Sequence, residues 1–136
     1  MHEKKLKGDI GVTQVIAKLT ELNWSVGIPI SEHQKYDIFA EKNGIVHTVQ
    51  VRYTTPKKDK ITIKLANSWS DKNSVHIKIR KKGDYTLLAV YCPSVGVFFI
   101  KEKELGKNGR QLNLRLTPSK NKQKKGIKFA ADFTII

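Results

Sequence analysis

The chain has 136 residues, enough for one domain with a continuous core and too few for two of ordinary size, so a single domain over 1–136 is expected. With 26 Lys and Arg against 12 Asp and Glu, the formal net charge is +14; an anionic partner would relieve the self-repulsion, and nucleic acid is the first candidate. One cysteine excludes an internal disulfide and no apolar run reaches membrane-spanning length, which points to a reducing setting, cytoplasmic or nucleoid-associated, without membrane contact.

From Asp9 to about Asn23, Ile10, Val12, Val15, Ile16, Leu19 and Leu22 recur at helical spacing while Gln14, Lys18 and Glu21 fall on the other side. This predicts one amphipathic helix with Asp9 as its cap. Trp24 to Ile28 follows as a short strand ended by Pro29, with Trp24 in the core. Lys35–Glu41 and Ile45–Tyr53 then flank Asn43-Gly44, the strongest short-range hairpin signal. Ile61–Leu65 alternates as a half-exposed strand, Ala66–Asn73 is polar and loop-like with Trp69 available for stacking, and Ser74–Ile79 alternates again. Tyr85–Tyr91 is apolar almost throughout, as in a strand buried on both faces, and turns through Pro93–Gly96 into Val97–Ile100; Cys92 belongs with this apolar run. A single helical turn at Lys101–Leu105, a strand at Gln111–Leu116, a basic loop at Ser119–Lys125 and an apolar end at Ile127–Ile136 complete the chain. The fold class is mixed α/β (α+β), a central sheet packed on the N-terminal helix.

If Asn43 and Gly44 are the central residues of a two-residue turn, Asp37 opposes Gln50, Tyr36 opposes Val51 and Lys35 opposes Arg52. Asp37, Gln50 and Arg52 then share one face, and Tyr36, Ile38, Val49 and Val51 share the other, toward the helix. A carboxylate, an amide and a cation converge as they would around a metal ion and a phosphate. A solvated sheet face with an Asp37–Arg52 salt bridge would use the same residue types, contributing under about 1 kcal/mol per pair. The histidines show no metal-ligand spacing, and His47 falls opposite Ala40. Lysine and arginine cluster at Lys4-Lys5-Lys7, at Lys57, Lys58 and Lys60, at Lys78, Arg80, Lys81 and Lys82, and at Lys120, Lys122, Lys124 and Lys125. These lie in loops or at element ends, where several can track one phosphate backbone.

The segments Lys7-Gly8-Asp9-Ile10-Gly11, Tyr36-Asp37-Ile38 and Val49-Gln50-Val51-Arg52, followed by Tyr91-Cys92-Pro93, Leu114-Arg115-Leu116 and Asn121-Lys122-Gln123, resemble the PD-(D/E)xK nuclease superfamily. Within it they are most similar to the group I intron-encoded homing endonucleases, whose triplet is Gln-x-Lys. The resemblance implies a restriction-endonuclease-like mixed sheet and metal-dependent phosphodiester hydrolysis of DNA, duplex or branched, by a homo-dimer or homo-tetramer. It also implies that Asp37, Gln50 and the Val51 carbonyl hold Mg²⁺ or Mn²⁺, hard ions suited to oxygen donors. Arg52 replaces the lysine of the triplet; its guanidinium keeps its proton and cannot act as a general base, but it can stabilise the phosphate. Val12 stands where many relatives carry a helix glutamate. The same resemblance allows a nuclease-fold module that grips DNA or structured RNA without cutting.

Overall fold

In the computed structural model of the chain, which describes residues 3–79, 81–105, 109–117 and 127–136, and of 67–70 and 79 the backbone alone, the first helix, α1, runs Glu3–Glu21. It begins before the expected cap, because Glu3 to Lys7 are sound helix formers, Glu3 suits the positive end of the helix dipole, and Glu3 pairs with Lys7 at 3.1 Å. Asp9 is therefore an exposed interior residue of α1 rather than its cap. Gly11, Val15 and Leu19, four residues apart, form its buried line. The helix ends where Asn23 turns left-handed (φ 68°) and Trp24 N–H donates to Leu19 O at 3.0 Å.

Strands β1 (Ser25–Gly27), β2 (Ile38–Lys42), β3 (Ile45–Tyr53), β7 (Leu87–Cys92) and β8 (Gly96–Lys101) form a five-stranded sheet in the order β1-β2-β3-β7-β8. The central pair β3 and β7 is parallel and the others are antiparallel. Under α1 the sheet presents Ile38, Ala40, Val49, Val51, Leu87, Ala89 and Phe99, which pack with Val15, Leu19 and Trp24. Fully burying a residue such as Leu19, which is 0% exposed, contributes roughly 1.5–3 kcal/mol.

The opposite sheet face is covered as well. β4 (Lys60–Lys64) pairs antiparallel with β9 (Gln111–Arg115), and Ile61, Ile63 and Leu114 pack against Leu88, Val90, Cys92, Phe98 and Ile100. Cys92 is buried as expected, and burial pushes its thiol pKa up. A 3₁₀ turn at Glu102–Glu104 leads out of β8, and a second at Ala130–Phe133 lies near the chain end, tied down by Lys128 Nζ on Glu104 Oε2 at 2.8 Å. Lys128 holds the Glu104 carboxyl below its usual range. The helix-on-sheet arrangement agrees with the fold expected from sequence, the sheet being mixed as foreseen.

Ala66–Ser70, expected as a loop, is strand β5, paired with β6 (Val75–Ile79) in a separate two-stranded sheet. Its sequence, Ala-Asn-Ser-Trp-Ser, shows no period-two apolar pattern, so the strand is not visible from alternation. The basic segment Ser119–Lys125 falls wholly within 118–126, outside the described residues. No helix among the described residues is long and apolar enough to cross a membrane.

Candidate active site

Asn43 (φ 52°) and Gly44 (φ 82°) form the two-residue turn, and Gly44 N–H donates to Glu41 Oε1 at 2.9 Å. The ladder follows the expected register from Lys42↔Ile45 through Ala40↔His47 to Ile38↔Val49, then stops. Asp37 N–H donates to Val49 O at 2.9 Å although Val49 already faces Ile38, giving the two-against-one count of a β-bulge. The expected oppositions of Asp37 with Gln50, Tyr36 with Val51 and Lys35 with Arg52 are therefore absent from the ladder, and the first strand begins at Ile38 rather than Lys35. The bulge also reverses the alternation: Ile38 packs under α1, while Tyr36, expected beside it, packs on the β4–β9 side.

The departure leaves Val51 N–H without the main-chain carbonyl that a continuing strand would offer, and Asp37 Oδ2 accepts that bond at 2.9 Å. In an extended strand the N–H and C=O of one residue point to the same side, so the Val51 carbonyl opens onto the same gap. Gln50 and Arg52 alternate with the buried Val49 and Val51 and so lie on the face away from α1. Among the described residues the Gln50 amide has no hydrogen-bond partner. Arg52 Nε donates to Lys64 O at 3.3 Å, which draws its side chain toward the end of β4, and no Asp37–Arg52 ion pair forms.

Above the far end of β3, α1 comes closest at Gly11, where an added Cβ would sit 3.4 Å from Val51 Cγ1 and 3.6 Å from Tyr53 Cβ. Lys7 Nζ lies 6.0 Å from the centre of the Tyr53 ring, so the start of α1 borders the same strand end as Arg52. Val12 packs half-buried in the helix-side core, so α1 sends no carboxylate from that position. Of the other basic residues, Lys57, Lys58 and Lys60 occupy an exposed reverse turn closed by Lys57 N–H to Lys60 O at 2.9 Å; Lys81 and Lys82 are exposed; and Arg80, Lys120, Lys122, Lys124 and Lys125 lie outside the described residues.

Sequence reasoning missed one pairing of cations: Lys35, two residues before Asp37, reaches Lys78 of β6, and this neighbouring ammonium holds the Lys78 pKa below the usual lysine range. A strand at Ala66–Ser70 was the signal needed to bring Lys78 back toward Lys35. His47 stands opposite Ala40 as expected, its ring 5.7 Å from that of Trp24 and its Nδ1 3.0 Å from Thr86 Oγ1.

Among the described residues no three His, Cys, Asp or Glu side chains gather as a ligand set. The Asp37 carboxylate lies at the Val51 amide, with Gln50 the preceding residue on β3; a carboxylate, an amide carbonyl and a main-chain carbonyl are oxygen donors of the type a hard divalent cation takes. One Asp37 oxygen is engaged by Val51 N–H, which leaves the other for a ligand.

No curated protein sequence matches the chain significantly. Among solved structures it is similar to the bacterial homing endonuclease I-Ssp6803I, with a TM-score of 0.80 at 17% sequence identity over 97% of this chain and 88% of that one. It is also similar to the Holliday junction resolvase Hjc of Archaeoglobus fulgidus, with a TM-score of 0.49 at 10% identity over 80% and 84% of the two chains. The first likeness establishes a shared fold. The profile of the PD-(D/E)XK endonucleases matches residues 2–136, a span that includes α1, the bulged hairpin and the parallel strand beside it. On that match the chain belongs to the PD-(D/E)XK endonuclease family.

Proposed function

We propose that the protein is a metal-dependent DNA endonuclease in which Asp37, Gln50 and the Val51 carbonyl hold the divalent ion, Mg²⁺ or Mn²⁺. The observation that supports this reading is the Asp37 carboxylate lying 2.9 Å from the Val51 amide at the bulge, where the preceding residue Gln50 has no side-chain hydrogen bond among the described residues. A bound divalent ion would supply phosphate polarisation and a more acidic water for attack. Asp37 provides the only negative charge of this ligand set, so metal affinity should be lower than in a two-carboxylate site. Arg52 stabilises charge developing on the phosphate but takes no proton from water. Lys7, Lys57, Lys58, Lys60, Lys81 and Lys82, with Arg80 and the 120–125 lysines, contact the duplex backbone. The deciding experiment is plasmid nicking with Mg²⁺ and, separately, Mn²⁺ by wild type and Asp37→Ala, where metal-dependent, Asp37-dependent nicking is expected.

A second reading, a module that binds without cutting, is favoured by two positions: Arg52 in place of a lysine and Val12 in place of a helix carboxylate. It predicts salt-sensitive duplex or structured-RNA binding with no cleavage in either metal.

A further inference from the structure

The backbone ladder of the β5–β6 hairpin pairs only its own two strands, and among the residues whose side chains are described neither hydrophobic cluster includes one from either strand. A two-stranded hairpin is marginal in water by itself, yet this one exposes Val75 (69%) and Ile77 (48%) on one face. Leu65, next to β5, and Tyr85, six residues after β6, are both buried in the β4–β9 cluster. The tip of the hairpin is held as well, since Asp71 Oδ1 accepts the N–H groups of Asn73 (2.8 Å) and Ser74 (2.9 Å) while Oδ2 meets His76 Nε2 at 2.7 Å. The Asp71 charge is thereby engaged within the hairpin. From 66 to 82 the sequence carries Lys72, Lys78, Arg80, Lys81 and Lys82 against Asp71 alone. The hairpin also borders the candidate site twice, through Lys78 beside Lys35 and through Lys64, which stands next to Leu65 and accepts the Arg52 bond.

The major groove of B-DNA admits a two-stranded β-ribbon, and an apolar side chain there contacts the thymine methyl group. Resting on the DNA reading above, we propose that the β5–β6 ribbon enters the major groove beside the cleavage point and reads base edges through Val75 and Ile77, while Lys35 and Lys78 together seat a flanking phosphate. Lys35 and Lys78 are neighbouring cations, with the Asp84 carboxylate also acting on Lys78, and the exposed apolar face suits base edges rather than solvent. Sequence preference is then carried by a part of the chain separate from the proposed metal ligands.

The test is site selection by the full chain from a random-sequence duplex library in EDTA, followed by replacement of thymine by uracil in the selected duplex. Wild type is expected to select a motif and to lose at least about fivefold in affinity when a contacted thymine loses its methyl group. Val75→Ser/Ile77→Ser, which removes the methyl groups from the exposed face, is expected to bind random duplex within about twofold of wild type and to ignore the uracil change. Lys35→Ala/Lys78→Ala is expected to weaken all duplexes alike and to reduce the salt slope by about one. The ribbon proposal falls if wild type selects no motif, if the Val75/Ile77 variant selects the same motif, or if uracil has no effect on wild type. Asp37-dependent cleavage accompanying any of these results leaves the nuclease reading standing. Absence of duplex binding at low salt, or preference for double-stranded RNA, whose major groove is too narrow for a ribbon, overturns both.

Discussion

Replacing Asp37 by asparagine and by alanine separates what this side chain does for the sheet from what it does for chemistry. Asp37 Oδ2 accepts Val51 N–H at 2.9 Å in a partly buried setting, and a hydrogen bond to a charged group contributes about 1.5–3 kcal/mol. Alanine removes the acceptor and leaves the amide of the 7%-exposed Val51 unsatisfied, so the full amount is lost. At roughly 4 °C per kcal/mol for a domain of this length, Tm should fall by about 6–12 °C. Asparagine keeps a carbonyl oxygen in the same place and loses only the charge, at a cost of about 1 kcal/mol, or roughly 4 °C. Cleavage should respond differently: both variants lack the carboxylate, and both should fall by at least about 10²-fold in single-turnover plasmid nicking with saturating Mg²⁺. Thermal unfolding and nicking on the same preparations make the comparison. If Asp37→Asn nicks within about threefold of wild type, Asp37 does not ligate the metal; if Asp37→Ala unfolds no earlier than Asp37→Asn, the Val51 bond does not hold the end of the hairpin.

Arg52→Lys restores a group able to exchange a proton and should raise Mg²⁺-dependent nicking at least about tenfold, whereas Arg52→Ala should lower it by roughly 10²-fold. Equal rates for all three would remove Arg52 from the reaction. Gly8 lies within α1 with nothing inside 4 Å of an added Cβ, so Gly8→Ala should stabilise the fold by about 0.5–1 kcal/mol in urea unfolding. Leu19→Ala should cost about 2–5 kcal/mol in the same assay. Burial first and Lys101 second hold the His47 pKa below its ordinary 6.5. The unfolded chain therefore binds the proton more readily, and the His47 contribution is complete above pH 6.5 and lost as pH falls from there toward the lowered folded value. His47→Gln should flatten that part of a stability-against-pH curve, and an unchanged slope would show that His47 is not responsible.

What the sequence made legible was local. The helical spacing from Ile10 to Leu22, the Asn43-Gly44 turn and the apolar run ending at Cys92 each carry a local signal, and α1, the β2–β3 register and the buried β7 follow from them. The bulge at Asp37 was not legible, because it depends on whether a short carboxylate outcompetes a main-chain carbonyl for Val51 N–H, and alternation alone assumes that the ladder continues. Strand β5 was hidden for another reason: Ala66 to Ser70 has no apolar alternation, and what makes it a strand is its pairing with β6. Tyr36 was misplaced as a direct result of the bulge. The cover over the second sheet face was missed because β4 and β9 are far apart in sequence and meet only in the fold. For the candidate site, the residue types and their order were readable, but not the main-chain contact that now connects Asp37 to Val51.

The parallel pairing of β3 with β7 divides the chain into a part whose length is fixed and a part whose length is free. Between Asp37 and Gln50 every position is counted by the two-residue turn and the ladder, and one inserted residue after Gly44 would turn Gln50 under α1 and Val49 outward. Between Tyr53 and Leu87 the chain must travel back toward the end of the sheet at which β3 began, and on the way the 71–74 turn joins β5 to β6. Residues added there extend the excursion without altering the count that sets Asp37. Lineages descending from such a chain should therefore accumulate insertions and deletions in the crossover while the hairpin keeps its length.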